Sequence, residues 1–155
     1  MNRRTFLLTT GAALAAQPLR AASCGFEICR SDAEWRARLS ENEYLVLRDE
    51  ETERPYTSPL NDETRAGTYQ CRGCDLPLYS AAAKYDSGTG WPSFFESLPN
   101  AVGTKEDRKF IFQVRTEVHC RRCGSHLGHV FDDGPEPSGK RHCLNGLSLT
   151  FVAAG

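Results

Sequence analysis

Two Cys-x-x-Cys pairs separated by 45 residues constrain this 155-residue chain more than any other feature. The first is Cys71-Arg72-Gly73-Cys74 and the second Cys120-Arg121-Arg122-Cys123, with Gly73 inside one and Gly124 just after the other. A glycine-bearing knuckle of this spacing presents both its sulfurs to one point. Two knuckles together supply the four thiolates of a closed, tetrahedral zinc site. Two disulfides are the alternative, but such loops clip a metal better than they form structural disulfides. A zinc held this way contributes folding free energy on the order of 10 kcal/mol. It does no chemistry, because four thiolates leave no open position.

Three cysteines remain. Cys143 lies in Arg141-His142-Cys143-Leu144-Asn145, with no second cysteine nearby. A lone thiol in polar company is a candidate nucleophile or redox centre. Only the thiolate attacks, and an ordinary thiol with a pKa of about 8.5 is a few per cent ionised at neutral pH. Arg141 would favour the thiolate, and on a regular strand it shares a face with Cys143. The plain alternative is a buried, inert cysteine at a strand end. His126-Leu127-Gly128-His129 sets two imidazoles three residues apart after the second knuckle, placed to protonate or position a leaving oxygen; a second metal site or ordinary surface histidines compete with that. Trp91 sits in the loop Ser87-Gly88-Thr89-Gly90-Trp91-Pro92-Ser93, where an indole lines a pocket or plugs a core.

Residues 1–22 read as an export signal rather than as fold. Asn2-Arg3-Arg4-Thr5-Phe6-Leu7-Leu8 is a twin-arginine pattern, an apolar run follows through Ala16, and small residues stand at Ala21, Ala22 and Ser23. This resembles a Tat leader and implies a periplasmic protein without stable membrane insertion after cleavage. A Sec signal or anchor is the alternative, and Ala22-Ser23-Cys24 loosely matches a lipobox, so a lipoprotein is possible. Loss of Arg3, Arg4 and Arg20 takes the net charge from −1 to −4, which speaks against nucleic acid as a partner. A chain exported folded crosses with its thiolates already shielded by metal.

After a mobile segment at 23–30, one domain occupies 31–155. Ser31-Asp32-Ala33-Glu34 and Ser40-Glu41-Asn42-Glu43 are capping boxes that open two short helices, with Trp35 and Leu39 on one face of the first and Tyr44 and Leu47 on one face of the second. Pro55 and Pro59 hold the next stretch extended or looped. From Thr68 onward the pattern is β. Phe110, Phe112, Val114, Thr116 and Val118 alternate with Ile111, Gln113, Arg115 and Glu117, which predicts one half-buried strand into the second knuckle. Cys143, Asn145, Leu147, Leu149 and Phe151 share one parity, which predicts a closing strand with thiol and amide on the core-facing side.

The two knuckles, Gly88-Thr89-Gly90-Trp91-Pro92-Ser93-Phe94, His126-Leu127-Gly128-His129-Val130-Phe131-Asp132-Asp133-Gly134-Pro135 and Arg141-His142-Cys143-Leu144-Asn145 together resemble the methionine-R-sulfoxide reductases of the B type, from about Trp35 to Phe151. The resemblance implies a mainly β tent of two antiparallel sheets with zinc at one end. It implies that Cys143 is the nucleophile, that Trp91 holds the substrate methyl group, and that His126, His129, Arg141 and Asn145 surround the sulfoxide. It implies methionine sulfoxide, free or in oxidised proteins, as substrate, a Cys143 sulfenic acid as intermediate, a thioredoxin-like reductant and a monomer.

Three positions depart from the family pattern. Many members carry a recycling cysteine where Thr89 stands, an aromatic residue where His142 stands, and serine where Gly146 stands. With four cysteines on zinc and Cys143 in catalysis, Cys29 and Cys24 remain as candidate resolving thiols, Cys29 preferred as the nearer to the domain; the two pairing with each other is the alternative. A zinc-ribbon binding module with an inert Cys143 is the competing function, and a disulfide oxidoreductase using one Cys-x-x-Cys pair a weaker third.

Overall fold

The computed structural model describes residues 24–110 and 113–155, the side chains of residues 110 and 113 excepted. The export-signal stretch 1–22 lies outside these residues. No helix among the described residues is long and apolar enough to cross a membrane.

Two short helices open the domain, α1 (Asp32–Arg38) and α2 (Glu41–Asp49), and both expected capping boxes are formed. In each, the serine backbone N–H donates to the glutamate three residues on (Ser31 to Glu34, 2.7 Å; Ser40 to Glu43, 2.8 Å). The serine hydroxyl in turn accepts from that glutamate's N–H, so orphan donors of the first turn are satisfied. α2 ends at Glu50 in the left-handed region. Trp35 and Leu47 are buried on the core side. The helices also grip the knuckles: Arg38 Nε donates to the Gly73 carbonyl (3.0 Å) and Arg48 Nη1 to the Cys123 carbonyl (3.3 Å).

Nine strands follow among the described residues: β1 (Gly67–Cys71), β2 (Pro77–Ser80), β3 (Lys84–Tyr85), β4 (Ser93–Phe94), β5 (Val102–Phe110), β6 (Gln113–Cys120), β7 (His126–Phe131), β8 (Arg141–Leu144) and β9 (Leu149–Ala153). They form a three-stranded sheet in the order β2-β1-β9 and a six-stranded sheet in the order β3-β4-β8-β7-β6-β5, with every recorded pairing antiparallel. The sheets meet over aromatic rings. Tyr69 and Tyr79 of the first sheet close on Phe94 of the second, with centroids 4.9 and 4.6 Å away, and all three are fully buried. The fold is the expected mainly β arrangement of two antiparallel sheets behind two short helices.

Two strand expectations need correction. The apolar run 110–118 is not one strand: β5 ends at Phe110 opposite Gln113, where β6 begins. Nor is the apolar parity of β6 buried along the first half of the strand. Val114 is 56% exposed while Glu117 is 2% exposed, because the inner face of β6 carries polar side chains matched by histidines and a lysine. Val118 and Cys120, of the same parity as Val114, are fully buried where the strand runs into the second knuckle; the register shift there leaves the extra residue, Leu127, on β7.

The closing strand is likewise broken. β8 belongs to the larger sheet and β9 to the smaller, with a 3₁₀ turn at Gly146–Ser148 between them. Glu53 caps that turn, accepting from the N–H groups of Gly146 and Leu147. Only glycine fits at 146, since a Cβ there would lie 1.9 Å from Ser58 Oγ and 2.6 Å from Ser58 Cβ.

Candidate active site

Strand register assembles the site. Across the six-stranded sheet, Ser93 pairs with Cys143, Cys143 with His129, His129 with Glu117 and Glu117 with Lys105. Cross-strand partners share a face, so a hydroxyl, a thiol, an imidazole, a carboxylate and an ammonium line one row. Two residues along, the same parity carries Asp107, Arg115, Phe131 and Arg141. A cleft of about 230 Å³ opens over these rows, lined among others by Trp91, His129, Cys143, Asn145 and Arg115. A larger cavity of about 560 Å³ lies elsewhere, between Glu53, Ser58, Arg72 and Phe151, and holds no thiol or imidazole. The smaller one is where chemistry can occur. Its floor depends on Gly128, because a Cβ there would meet the Cys143 carbonyl oxygen at 2.0 Å; glycine lets β7 and β8 lie close beneath the thiol.

Each imidazole has its own carboxylate. His129 Nε2–H donates to Asp107 Oδ2 at 2.8 Å, and His126 Nδ1–H donates to Glu117 Oε1 at 2.8 Å. The two rings stand edge to face, centroids 5.4 Å apart. Burial opposes ionisation of Asp107, but hydrogen bonds from the Lys109 backbone, His129 and Arg115 prevail and hold its carboxyl well below the usual range. Burial also opposes Glu117, and there His119, His126 and Lys105 prevail. Both are therefore anions at neutral pH. Burial lowers the His129 pKa more than Asp107 raises it, so the ring is neutral at rest, with Nδ1 left as its acceptor. His126 is 2% exposed, and its Nε2 has no hydrogen-bond partner among the described residues.

Trp91 and Asn145 hold the cleft wall. Trp91 Nε1–H donates to the Glu53 carbonyl (3.1 Å), and the Glu53 N–H donates to Asn145 Oδ1 (3.0 Å). Asn145 Nδ2 donates in turn to the Leu127 carbonyl (3.2 Å). The Asn145 amide thus fixes loop to strand as well as lining the cleft. Arg141 stands outside the cleft lining: its guanidinium makes a two-pronged pair with Asp133 (2.8 and 2.9 Å) and stacks 4.4 Å from the Phe131 centroid. Arg115, paired with Asp107 at 2.6 Å, is the arginine at the cleft. Sequence reasoning missed Asp107, Arg115 and Glu117. The β6 pair had a signal in their shared parity; Asp107, inside the charged run Lys105–Lys109, had none. Thr89 Oγ1 lies 3.8 Å from Cys143 Sγ.

The four knuckle cysteines converge. All are buried, and their sulfurs lie within 4.8 Å of one another, with Cys71–Cys123 at 3.7 Å and Cys74–Cys120 at 3.5 Å. Four sulfurs on a tetrahedral zinc at about 2.3 Å would stand roughly 3.8 Å apart, whereas a disulfide needs about 2.0 Å. The cluster therefore has the spacing of a metal site. Cys24 and Cys29, by contrast, are joined in a disulfide, the alternative left open for these two. Their segment lies on the second knuckle: the Ile28 N–H donates to the Arg122 carbonyl (2.9 Å) and Phe26 packs edge-on against His119. No residue of 24–30 lines the cleft.

A β scaffold stapled by four thiols, with a fifth thiol facing a carboxylate-backed imidazole in a small cleft, is the architecture of a protein built for thiol chemistry. Comparison with known proteins narrows that class: the SelR domain matches residues 39–153, and the chain belongs to this family. Similar curated proteins include the peptide methionine sulfoxide reductase MsrB of Thiobacillus denitrificans, 51% identical over 79% of this chain and 92% of its own length. The MsrB of Teredinibacter turnerae is 48% identical over 79% of this chain and 90% of its own. The chloroplastic peptide methionine sulfoxide reductase B1 of Arabidopsis thaliana is 48% identical over 79% and 61%.

Proposed function

We propose that this protein reduces methionine (R)-sulfoxide, free or within oxidised proteins, to methionine. The observation that carries the proposal is Cys143 facing His129 across one ladder, in a cleft walled by Trp91, in a chain of the SelR family.

The chemistry divides among the residues. Trp91 offers an apolar face for the substrate methyl group, held in place by its bond to Glu53. The Cys143 thiolate attacks the sulfoxide sulfur. His129, steadied by Asp107, takes up a proton at Nδ1 and delivers it to the sulfoxide oxygen, and the buried His126–Glu117 pair supports His129 from beneath. The sulfur–oxygen bond of the substrate and the newly formed sulfur–sulfur bond then break as the oxygen passes to Cys143 and methionine leaves. Cys143 is oxidised by two electrons to a sulfenic acid and the substrate sulfur is reduced by two, with no net consumption of protons. Asn145 and Arg141 act on the shape of the site, the first through the Glu53 loop and the second through Asp133 and Phe131.

Zinc fits Cys71, Cys74, Cys120 and Cys123 by donor type, burial and spacing, and would hold the two knuckles, and the sheets attached to them, together. Recycling runs through the N-terminal pair. Cys24 is seven residues ahead of the Ser31 cap and Cys29 two, so extended-chain reach is roughly 24 Å against 7 Å. The longer tether makes Cys24 the attacking thiol, the reverse of the order expected from proximity to the domain. Cys24 displaces water from the sulfenic acid to form a Cys24–Cys143 disulfide. Cys29 then displaces Cys143, leaving the Cys24–Cys29 disulfide seen here, and a thioredoxin-like dithiol reduces it. The twin-arginine leader implies that this monomer works in the periplasm, delivered folded with zinc bound.

Assay of the purified mature protein with each sulfoxide epimer separately, with dithiothreitol as reductant, tests the proposal. The R epimer should turn over and the S epimer should not; turnover of neither, or retained activity in Cys143→Ser, overturns it.

A further inference from the structure

Three hydroxyls beside Cys143 have no part in the chemistry above. Thr89 Oγ1 lies 3.8 Å from Cys143 Sγ, within hydrogen-bond range for sulfur. Ser87 Oγ lies 2.8 Å from Thr89 Oγ1 and 2.7 Å from Ser93 Oγ, and Ser93 Oγ lies 3.2 Å from the Trp91 carbonyl oxygen. Ser93 is fully buried and directly opposite Cys143 on the ladder; Ser87 and Thr89 are half-buried. The groups form an unbroken line from the reacting sulfur to a backbone carbonyl.

We propose that Thr89 is a catalytic residue that donates its hydroxyl hydrogen to the Cys143 thiolate, with Ser87 and Ser93 as the positioning residues that free this hydrogen. The proposal rests on Cys143 being the nucleophile. Each hydroxyl has one hydrogen to give and can accept another. With a neutral thiol, the line runs away from sulfur: Cys143 to Thr89, Thr89 to Ser87, Ser87 to Ser93, Ser93 to the Trp91 carbonyl. When the thiol proton leaves to solvent, rotation about the C–O bonds reverses the line. Ser93 then donates to Ser87, Ser87 to Thr89 and Thr89 to sulfur. Only the bond to the carbonyl, the longest of those between oxygens, is surrendered, and the sulfur anion gains a charge-assisted one.

The charged and titratable groups around Cys143 leave this task open. His129 on β7 is kept neutral by burial. Arg115 on β6 is paired with Asp107, and Arg141 on β8, whose charge also attracts the Cys143 thiolate, is held by Asp133 and donates no hydrogen bond to the sulfur. Tyr85 on β3 is held protonated by burial. The hydroxyl line reaches the sulfur from β4 and the loop before it, the side of the ladder opposite His129.

Alkylation of Cys143 by iodoacetamide, followed by mass mapping of its peptide across a pH series, tests this in the full mature chain. Thr89→Val keeps the volume and loses the donor. It should raise the alkylation midpoint by about one pH unit, equivalent to tenfold less thiolate below the midpoint, and slow single-turnover methionine release about tenfold at neutral pH. Thr89→Ser should match the parent protein, and Ser87→Ala should shift the midpoint in the same direction by less. An unmoved midpoint in Thr89→Val, or a Thr89→Ser shifted as far as Thr89→Val, overturns the proposal. Alkylation reads the thiol whatever the substrate, so failure of the reductase reading, seen as no turnover with either epimer, is distinguishable from failure of this one.

Discussion

Asp107 Oδ2 holds His129 Nε2 at 2.8 Å, while Cys143 faces the same imidazole across the β7–β8 ladder. The carboxylate raises the proton affinity of a ring that burial lowers, and it fixes which nitrogen is left for the cleft. Asp107→Asn should therefore lower kcat by about 100-fold, the scale of one general acid. The signature is in the pH profile. A proton donor is lost as pH rises through its pKa, so without Asp107 the alkaline limb should move to lower pH. A Tm close to the parent's separates this from misfolding. An unshifted limb would leave Asp107 a structural residue.

Zinc analysis addresses the knuckles. One zinc per chain is expected, and Cys120→Ser should give insoluble or unfolded protein, because metal binding here is folding free energy on the order of 10 kcal/mol. Soluble, active, metal-free Cys120→Ser would show the cluster to be dispensable.

His142 makes a prediction about acid stability. Its Nδ1 accepts from the buried Tyr79 hydroxyl at 3.0 Å, and burial, aided by the Lys140 charge, lowers its pKa to about 4. An unfolded histidine takes up a proton near pH 6.5. Between about 6.5 and 4 the unfolded state therefore binds a proton that the folded state refuses, and stability falls as pH falls. His129 contributes with the same sign. Asp107 and Glu117, depressed as acids, keep their contributions until lower pH. His142→Phe should flatten the decline in Tm across that window by several degrees; an unchanged decline would mean His142 is not responsible for it.

What could be read from the sequence was what local chemistry dictates. Ser31 with Glu34 and Ser40 with Glu43 set both helix starts because caps are satisfied within four residues. The knuckles announced their convergence because cysteine at that spacing has few other uses. The inner face of β6 could not be read. Val114 and Thr116 look like the core parity and Arg115 and Glu117 like the solvent parity. The assignment reverses only because Asp107, His126 and Lys105 arrive from other strands to satisfy the charges. The β5–β6 hairpin was hidden for a similar reason, with no Gly, Pro, Asn or Asp between Arg108 and Gln113 to mark a turn.

Recycling can be caught in the act. After one equivalent of sulfoxide, Cys29→Ser should accumulate a Cys24–Cys143 disulfide, and Cys24→Ser should stop at the sulfenic acid. Peptide mapping under non-reducing conditions distinguishes them. A Cys29–Cys143 link in Cys24→Ser would restore the order expected from proximity, and a sulfenic acid persisting in the parent protein with both N-terminal thiols reduced would exclude the pair altogether.

The most direct measurement is a single turnover without reductant in the Cys24→Ser, Cys29→Ser protein. One methionine should be released per chain from the R epimer, and mass mapping should find one added oxygen, trapped by dimedone, on Cys143 alone. Release of methionine with Cys143 unmodified, or oxygen found on a knuckle cysteine instead, would contradict the assignment of Cys143 as the atom that takes the substrate's oxygen.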